Sequence, residues 1–203
     1  MSKYKYVNQF FGEEKAEKLR SSTVSIVGLR GSGSILAEIF VRAGINVRII
    51  DKGRVYEEEL LGQTLYDEDD INKFKAKQAK KKLELINSQV KVKAFHEELT
   101  KETIYLLDAD VVIDCTSSKE LSNMIGEYCL KQEIPFISLI TNGDYVSLKV
   151  QKDKKVKEFE EKEPVGIVGP VNFFAAGLAA TYATRILLGD VPKDSSFEVL
   201  KDL

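Results

Sequence analysis

Residues 24–34 read Val-Ser-Ile-Val-Gly-Leu-Arg-Gly-Ser-Gly-Ser and run into an apolar helical stretch over residues 35–43. A buried strand that turns on glycine into a helix constrains the fold more than any other segment. It opens a βαβ unit in which the helix start offers free N–H groups and a positive dipole end to a phosphate. Gly28 makes the tight turn. In the Gly-x-Gly-x-x-Gly register from Gly28 to Gly33, the middle position is Arg30. Glycine at that position lets backbone approach a pyrophosphate, so Arg30 is a departure from the pattern. Asp51 follows about 20 residues on, where a carboxylate accepts hydrogen bonds from a ribose. The competing reading of Asp51 is a surface aspartate at a strand end.

Strand and helix signals alternate along the rest of the chain. Residues 24–27, 47–50, 90–95 and 111–115 read as strands, and 136–140 and 145–150 as further ones. Residues 11–21, 71–86, 100–107 and 118–132 read as helices, with an acidic, irregular connection over 56–70. Such alternation predicts an α/β fold, Rossmann-like and doubly wound. Its mostly parallel sheet carries helices on both faces, and the later strands add antiparallel pairing. One domain over residues 1–203 is expected. Residues 151–163 form a charge-rich connector, a surface loop or irregular hairpin tip. Pro170 and Gly189 bracket an Ala/Gly-rich helix that is apolar nearly all round, so it must be covered on more than one side. Cover from within the chain and cover by a second subunit are equally compatible with that pattern.

Composition excludes several functions. A net charge of −2 and a pI near 5.7 argue against a general nucleic-acid binder. No apolar run approaches the roughly 20 residues of a membrane span, and residues 1–11 lack a signal-peptide layout. A cytoplasmic protein is expected. Cys115 and Cys129 are not spaced as a metal pair, fall in apolar stretches and read as reduced, packed thiols, so no zinc site is expected. His96 is the only histidine and reads as a solvated strand-end residue rather than a general base.

Several ordered segments together carry a resemblance. They are the glycine turn, Ala43-Gly44-Ile45, Ile50-Asp51, Gln63, Lys75-Ala76 and Leu85-Ile86-Asn87. They continue through residues 109–116, Gly166-Ile167-Val168-Gly169-Pro170 and Ile186-Leu187-Leu188-Gly189. In this order they resemble the ThiF/MoeB-type, E1-like superfamily of ubiquitin-like-protein activating enzymes. The resemblance implies adenylation of the C-terminal glycine of a ubiquitin-like or sulfur-carrier protein, with ATP and magnesium as cofactors. It implies cofactor-binding roles for Gly28, Arg30, Gly31 and Gly33 at the turn, Asp51 at the ribose and Lys75 at the phosphates.

Against that family, this chain has lost groups. Tyr6-Val7-Asn8-Gln9 stands where the family has Tyr-x-Arg-Gln, whose arginine reaches a partner's nucleotide. Glu59-Leu60-Leu61-Gly62-Gln63 stands where active members carry Asn-Leu-x-Arg-Gln. Glu59 brings negative charge towards a triphosphate, and Gly62 removes a phosphate-binding arginine. Ser117 stands at the magnesium-holding aspartate, and a hydroxyl is a poorer ligand for a hard dication. The zinc cysteines and the thioester-forming cysteine segment of many members are missing. Gly28-Leu29-Arg30-Gly31 and Leu61-Gly62-Gln63 are closest in motif to the non-catalytic adenylation half of SUMO- and ubiquitin-activating enzymes.

Three readings follow. The first is a non-catalytic subunit, a pseudoenzyme acting through a homodimer or a heterodimer with an activating-enzyme-like subunit. The second is an active adenylyltransferase with a variant site, in which Lys75, Arg30 and Arg54 supply positive charge and Asp114 or Asp51 the metal ligand. The third is a dinucleotide-binding module of unrelated function, which Arg30 opposes. A ubiquitin-like protein is the further partner the resemblance implies, and neither nucleic acid nor membrane is.

Overall fold

The structure, a computed structural model, describes residues 3–151, 166 and 169–199. One seven-stranded sheet runs through them in the order β3-β2-β1-β4-β5-β6-β7. The strands are β1 (Thr23–Val27), β2 (Asn46–Ile50), β3 (Val92–Phe95), β4 (Val111–Asp114), β5 (Phe136–Asn142), β6 (Tyr145–Gln151) and β7 (Ser195–Glu198). The first five pair in parallel, and β6 and β7 add antiparallel pairing. The helices are α1 (Lys5–Phe11), α2 (Glu13–Ser21), α3 (Ser32–Ala43), α4 (Lys75–Ile86), α5 (Lys119–Lys131) and α6 (Gly169–Leu187). This is the doubly wound arrangement expected from the alternation. Its chain order reverses between β1 and β4, and ligands of such sheets bind beyond the strand ends at that point.

The period of two along each strand distributes side chains to two cores. Val24, Ile26, Val47, Ile49, Val111 and Ile113 face α3, α4 and α6 in one cluster. Val27, Ile50, Val112 and Phe136 face α5 and the 3-10 turn Ile104–Leu107 in the other. Helix α6 buries Val171, Asn172, four alanines from Ala175 to Ala180, Ala183, Ile186 and Leu187 within the chain. Of the two covers left open for this helix, the chain itself supplies most. Phe173 stays 51% exposed at its start.

Local departures have physical causes. The helix expected over 11–21 divides into α1 and α2 at Gly12, whose φ of 80° and ψ of 160° lie outside helical space. The segment expected as a helix over 100–107 is instead a 3-10 turn, Ile104–Leu107. There Thr103 Oγ1 accepts the Thr100 N–H and donates to the Glu98 carbonyl, engagements that compete with helical hydrogen bonding. Helix α4 begins at Lys75 rather than 71, because the chain before it is tied elsewhere. Ile71 bridges Val55, Phe74 bridges Arg54, and the Lys75 N–H reaches the Gly53 carbonyl at 3.1 Å. The acidic connection contains two 3-10 turns, Glu57–Gly62 and Glu68–Asp70. Strand β7 is an addition, and the expected 151–163 connector lies outside the described residues beyond Gln151.

Candidate functional site

A cleft of about 680 Å³ opens at the reversal point, lined from the glycine turn, the ends of β2 and β5, the start of α4 and the segment after β4. Its walls differ in character from one side to the other.

On the Asp51 side of the cleft the turn is built by backbone geometry. Gly28 takes φ 86°, and its N–H donates to the Ile50 carbonyl at 2.9 Å, locking the turn to the end of β2. Asp51 then holds two strands' ends together. Its Oδ2 accepts the Leu29 N–H at 2.7 Å and its Oδ1 accepts the Gly53 N–H at 2.6 Å. Val27, Ile50, Leu99 and Leu121 supply apolar wall beside it.

Gly33 does not line the cleft. It sits in the first turn of α3, where a Cβ would collide with the Gly28 carbonyl oxygen, so its role is close helix–strand packing. Gly31 takes φ 46° and lies against the buried amide of Asn172, which a Cβ there would meet at 2.9 Å.

The Lys75 side of the cleft is an ion cluster. Glu59 points in from the 3-10 turn and is 4% exposed. Its Oε2 lies 2.6 Å from Lys75 Nζ, itself 5% exposed, and its Oε1 lies 3.1 Å from Arg30 Nε. Arg30 reaches in from solvent, 58% exposed. A buried lysine requires a partner, and Glu59 meets that requirement inside the chain. Around the whole cleft the described lining balances: Arg30, Lys52, Lys75 and Lys119 against Asp51, Glu59, Glu97 and Glu98. Lys52 is itself paired with Glu98 at 2.5 Å.

The wall after β4 carries no charged metal ligand at the cleft. Asp114 is 1% exposed, and its Oδ1 accepts the Thr116 N–H at 2.9 Å and the Thr116 hydroxyl at 2.7 Å. Burial pushes its carboxyl above the usual aspartate range, against the opposing bonds from Ser122 and Thr116. Ser117 lines the cleft in a left-handed conformation, φ 57°, and Ser118 caps α5 by accepting the Leu121 N–H. Burial and neighbouring Asp114 push the Cys115 thiol well up, which disfavours the thiolate, and both cysteines are free. Among the described residues no three His, Cys, Asp or Glu side chains cluster for a metal ion.

Of the sequence-predicted site residues, Gly28, Arg30, Gly31, Asp51 and Lys75 converge on this cleft, and Gly33 stands behind it. Arg54, a candidate phosphate cation of the variant-site reading, does not line it. Its guanidinium lies 4.1 Å from the Phe74 ring centroid and donates to the Asn72 carbonyl at 2.5 Å. Asp114, the candidate metal ligand, is buried behind Thr116. Asn8 lies on α1, bonding Glu13 at 2.8 Å and Arg20 at 2.6 Å. His96 is half-buried and stacked on Phe74, at 3.8 Å between centroids, rather than solvated. Sequence reasoning missed Asn172, whose only signal was a polar side chain in the apolar first half of α6. It also placed Glu59 near the phosphates without the neutralising pair it makes.

The sheet order and the cleft at its reversal point define a Rossmann-like, doubly wound α/β domain, and comparison with known proteins narrows the class. The ThiF family matches residues 4–201, and the chain belongs to that family. The sulfur carrier protein ThiS adenylyltransferase of Bacillus subtilis is 34% identical over 139 residues, covering 66% of this chain and 41% of that protein. The molybdopterin-synthase adenylyltransferase of Haemophilus influenzae is 31% identical over 125 residues, 60% of this chain and 51% of that protein. The chain thus spans about half the length of the curated relatives it matches. Among solved structures, Escherichia coli MccB superimposes with a TM-score of 0.82 at 21% identity, over 98% of this chain and 70% of that one. This last likeness shows the fold. No helix among the described residues is long and apolar enough to cross a membrane.

The residues fit the cofactors of the family unevenly. Asp51, the Gly28 turn and the apolar wall fit a nucleoside. The magnesium-bound triphosphate does not fit: Lys75 is already paired with buried Glu59, Ser117 offers the cleft a hydroxyl and no carboxylate, and the lining has no surplus of positive charge.

Proposed function

We propose that the chain is a degenerate, non-catalytic ThiF-family domain. It acts through dimerisation, with its own kind or an activating-enzyme-like subunit, in the activation of a ubiquitin-like or sulfur-carrier protein. The observation that carries the reading is the buried Glu59–Lys75 pair, 2.6 Å apart, in the part of the cleft where adenylation needs free positive charge. Transfer at phosphorus depends on positioning and on cations that neutralise developing charge. A lysine whose charge is already matched by a buried carboxylate contributes little to either. Gly62 and Ser117 remove the other two groups such a site uses. The 203 residues are read as one adenylation-type domain without zinc or thioester segments.

The dimer face in this reading includes Leu61, 92% exposed, and Phe173, 51% exposed. The 3-10 turn that carries Leu61 packs on the start of α6, which carries Phe173, with Asn172 Nδ2 donating to the Gly62 carbonyl at 3.4 Å. Large apolar side chains grouped on a surface are a feature of interaction sites. Native mass measurement of the intact chain and of Leu61→Asp checks this, with a shift from dimer to monomer expected.

The active-adenylyltransferase reading keeps one specific support: Lys75 remains in the cleft, and the relatives named above are adenylyltransferases. Pyrophosphate–ATP exchange with magnesium and a sulfur-carrier protein ending in glycine separates the two. No exchange above a blank without the chain is expected. Exchange that depends on both magnesium and the carrier would establish the active reading instead.

A further inference from the structure

We propose that the cleft selects a neutral nucleoside over its phosphorylated forms, and that Glu59 is the residue that sets this choice. The proposal rests on the non-catalytic reading above and adds a ligand class to it.

The two sides of the cleft make opposite demands. Asp51 uses each carboxylate oxygen for one backbone N–H, Leu29 on Oδ2 and Gly53 on Oδ1. A carboxylate has about four lone-pair sites, so acceptor capacity remains for ligand hydroxyls. Val27, Ile50, Leu99 and Leu121 offer an apolar wall for a planar base. Sugar hydroxyls and a base are therefore still served.

A phosphate is not. Glu59 is an anion built into the position a phosphate would take, held by Lys75 at 2.6 Å and Arg30 at 3.1 Å. An incoming phosphate must displace Glu59 from both cations or sit beside it. Displacement strands a carboxylate that is 4% exposed, and sitting beside it places like charges together. In the rest of the lining Lys52 and Lys119 stand against Asp51, Glu97 and Glu98, so no surplus of cationic side chains offsets either cost. A neutral nucleoside meets neither.

Calorimetric titration of the intact chain with adenosine, AMP and ATP, each with and without magnesium, tests this. Adenosine is expected to bind at least about tenfold more tightly than AMP or ATP, and its affinity to be insensitive to salt. Glu59→Gln frees two cations from their carboxylate and reverses the order, so AMP and ATP overtake adenosine. Melting curves establish whether that variant folds. Arg30→Ala removes one cation of the same cluster and supplies a second readout: AMP and ATP are expected to weaken by a larger factor than adenosine. ATP binding as tightly as adenosine to the unaltered chain, or no adenosine binding, overturns the proposal. A folded Glu59→Gln that keeps the original order overturns it too. Failure here without pyrophosphate exchange leaves the non-catalytic reading standing, whereas magnesium-dependent exchange removes both.

Discussion

The Asp51 side and the Lys75 side of one cleft, read as facing a ribose and its phosphates in the proposals above, are built in different ways. On the first, backbone does the work: Gly28 at φ 86° bonds Ile50, and Asp51 bridges the Leu29 and Gly53 amides. Its polar side chain has capacity left over. On the second, side chains satisfy one another: Glu59 absorbs Lys75 and Arg30. The turn is needed to join β1 to α3 whatever the cleft binds, whereas free cations are needed only for phosphate. In the non-catalytic reading proposed above, the fold is kept while those cations are paired internally.

The strongest way to break this comparison is to remove one member of the ion pair. Lys75→Ala leaves the buried Glu59 carboxylate with Arg30 and, at 3.5 Å, the Gln63 amide, and Glu59→Ala leaves Lys75 buried without a carboxylate partner, the Tyr56 ring 5.8 Å away. Each is expected to destabilise the fold by about 3–5 kcal/mol. Replacing both by hydrocarbon, Lys75→Met with Glu59→Leu, is expected to be close to neutral, because no desolvated charge remains. Urea denaturation compares the unaltered chain, the two single variants and the hydrocarbon double variant. A strongly destabilised double variant alongside mild single ones would show that the pair does not act as a structural unit.

The legibility of these two sides in the amino-acid sequence follows the same division. The turn and Asp51 were readable because their geometry depends on local spacing, a strand end and a helix start. The α/β class was readable for the same reason, from alternating periodicities. The Glu59–Lys75 contact was not, because it depends on how an irregular segment is pinned. Val55 bridges Ile71, Arg54 bridges Phe74, and Gly53 accepts the Lys75 N–H, which together carry Lys75 back over the turn. None of these bonds has a periodic signature. The break at Gly12 was missed because the helical pattern over 11–21 runs on through polar residues without showing where it starts. The cover of α6 needed tertiary contacts, since apolarity all round specifies burial but not the burying partner.

A smaller effect sharpens the ribose-facing side. Asp51→Ala removes the acceptor of the Leu29 amide, on a residue with no exposed surface, and of the Gly53 amide. Hydrogen bonds to a charged acceptor contribute about 1.5–3 kcal/mol, and an orphaned buried N–H adds its own cost. A loss of about 2–3 kcal/mol is expected, below that of the ion-pair variants. Asp51→Asn should recover part of it, because the amide oxygen still accepts one of the two bonds. Nucleoside binding should fall with both variants, separating Asp51's structural role from any contact with ligand. Equal stability of Asp51→Ala and the unaltered chain would mean the carboxylate serves only the ligand.

The smallest effect concerns the wall between the two sides, where Asp114 is buried and its carboxyl lies above the usual range through desolvation. A carboxyl raised in the folded state binds its proton more tightly there than in the unfolded chain. Its stabilising contribution is therefore complete below the unfolded pKa and is lost as pH rises through the folded one. Asp114→Asn has no such titration and keeps an amide oxygen for the two bonds from Thr116, both of which fall on the same carboxylate oxygen. Its new N–H₂ faces the paired hydroxyls of Ser122 and Ser138, which lie 2.7 Å apart and either of which can accept. The stability difference between the two proteins should then drift in favour of the Asp114→Asn variant as pH rises from the ordinary aspartate range, and level off above the raised pKa. Denaturation midpoints across that range read it directly. A difference that instead moves towards aspartate with rising pH would mean the ionised carboxylate is stabilised in the fold. Asp114 would then be a charge held ready beside the cleft, and the contrast between a satisfied backbone side and a self-neutralised ionic side would need a third, anionic wall.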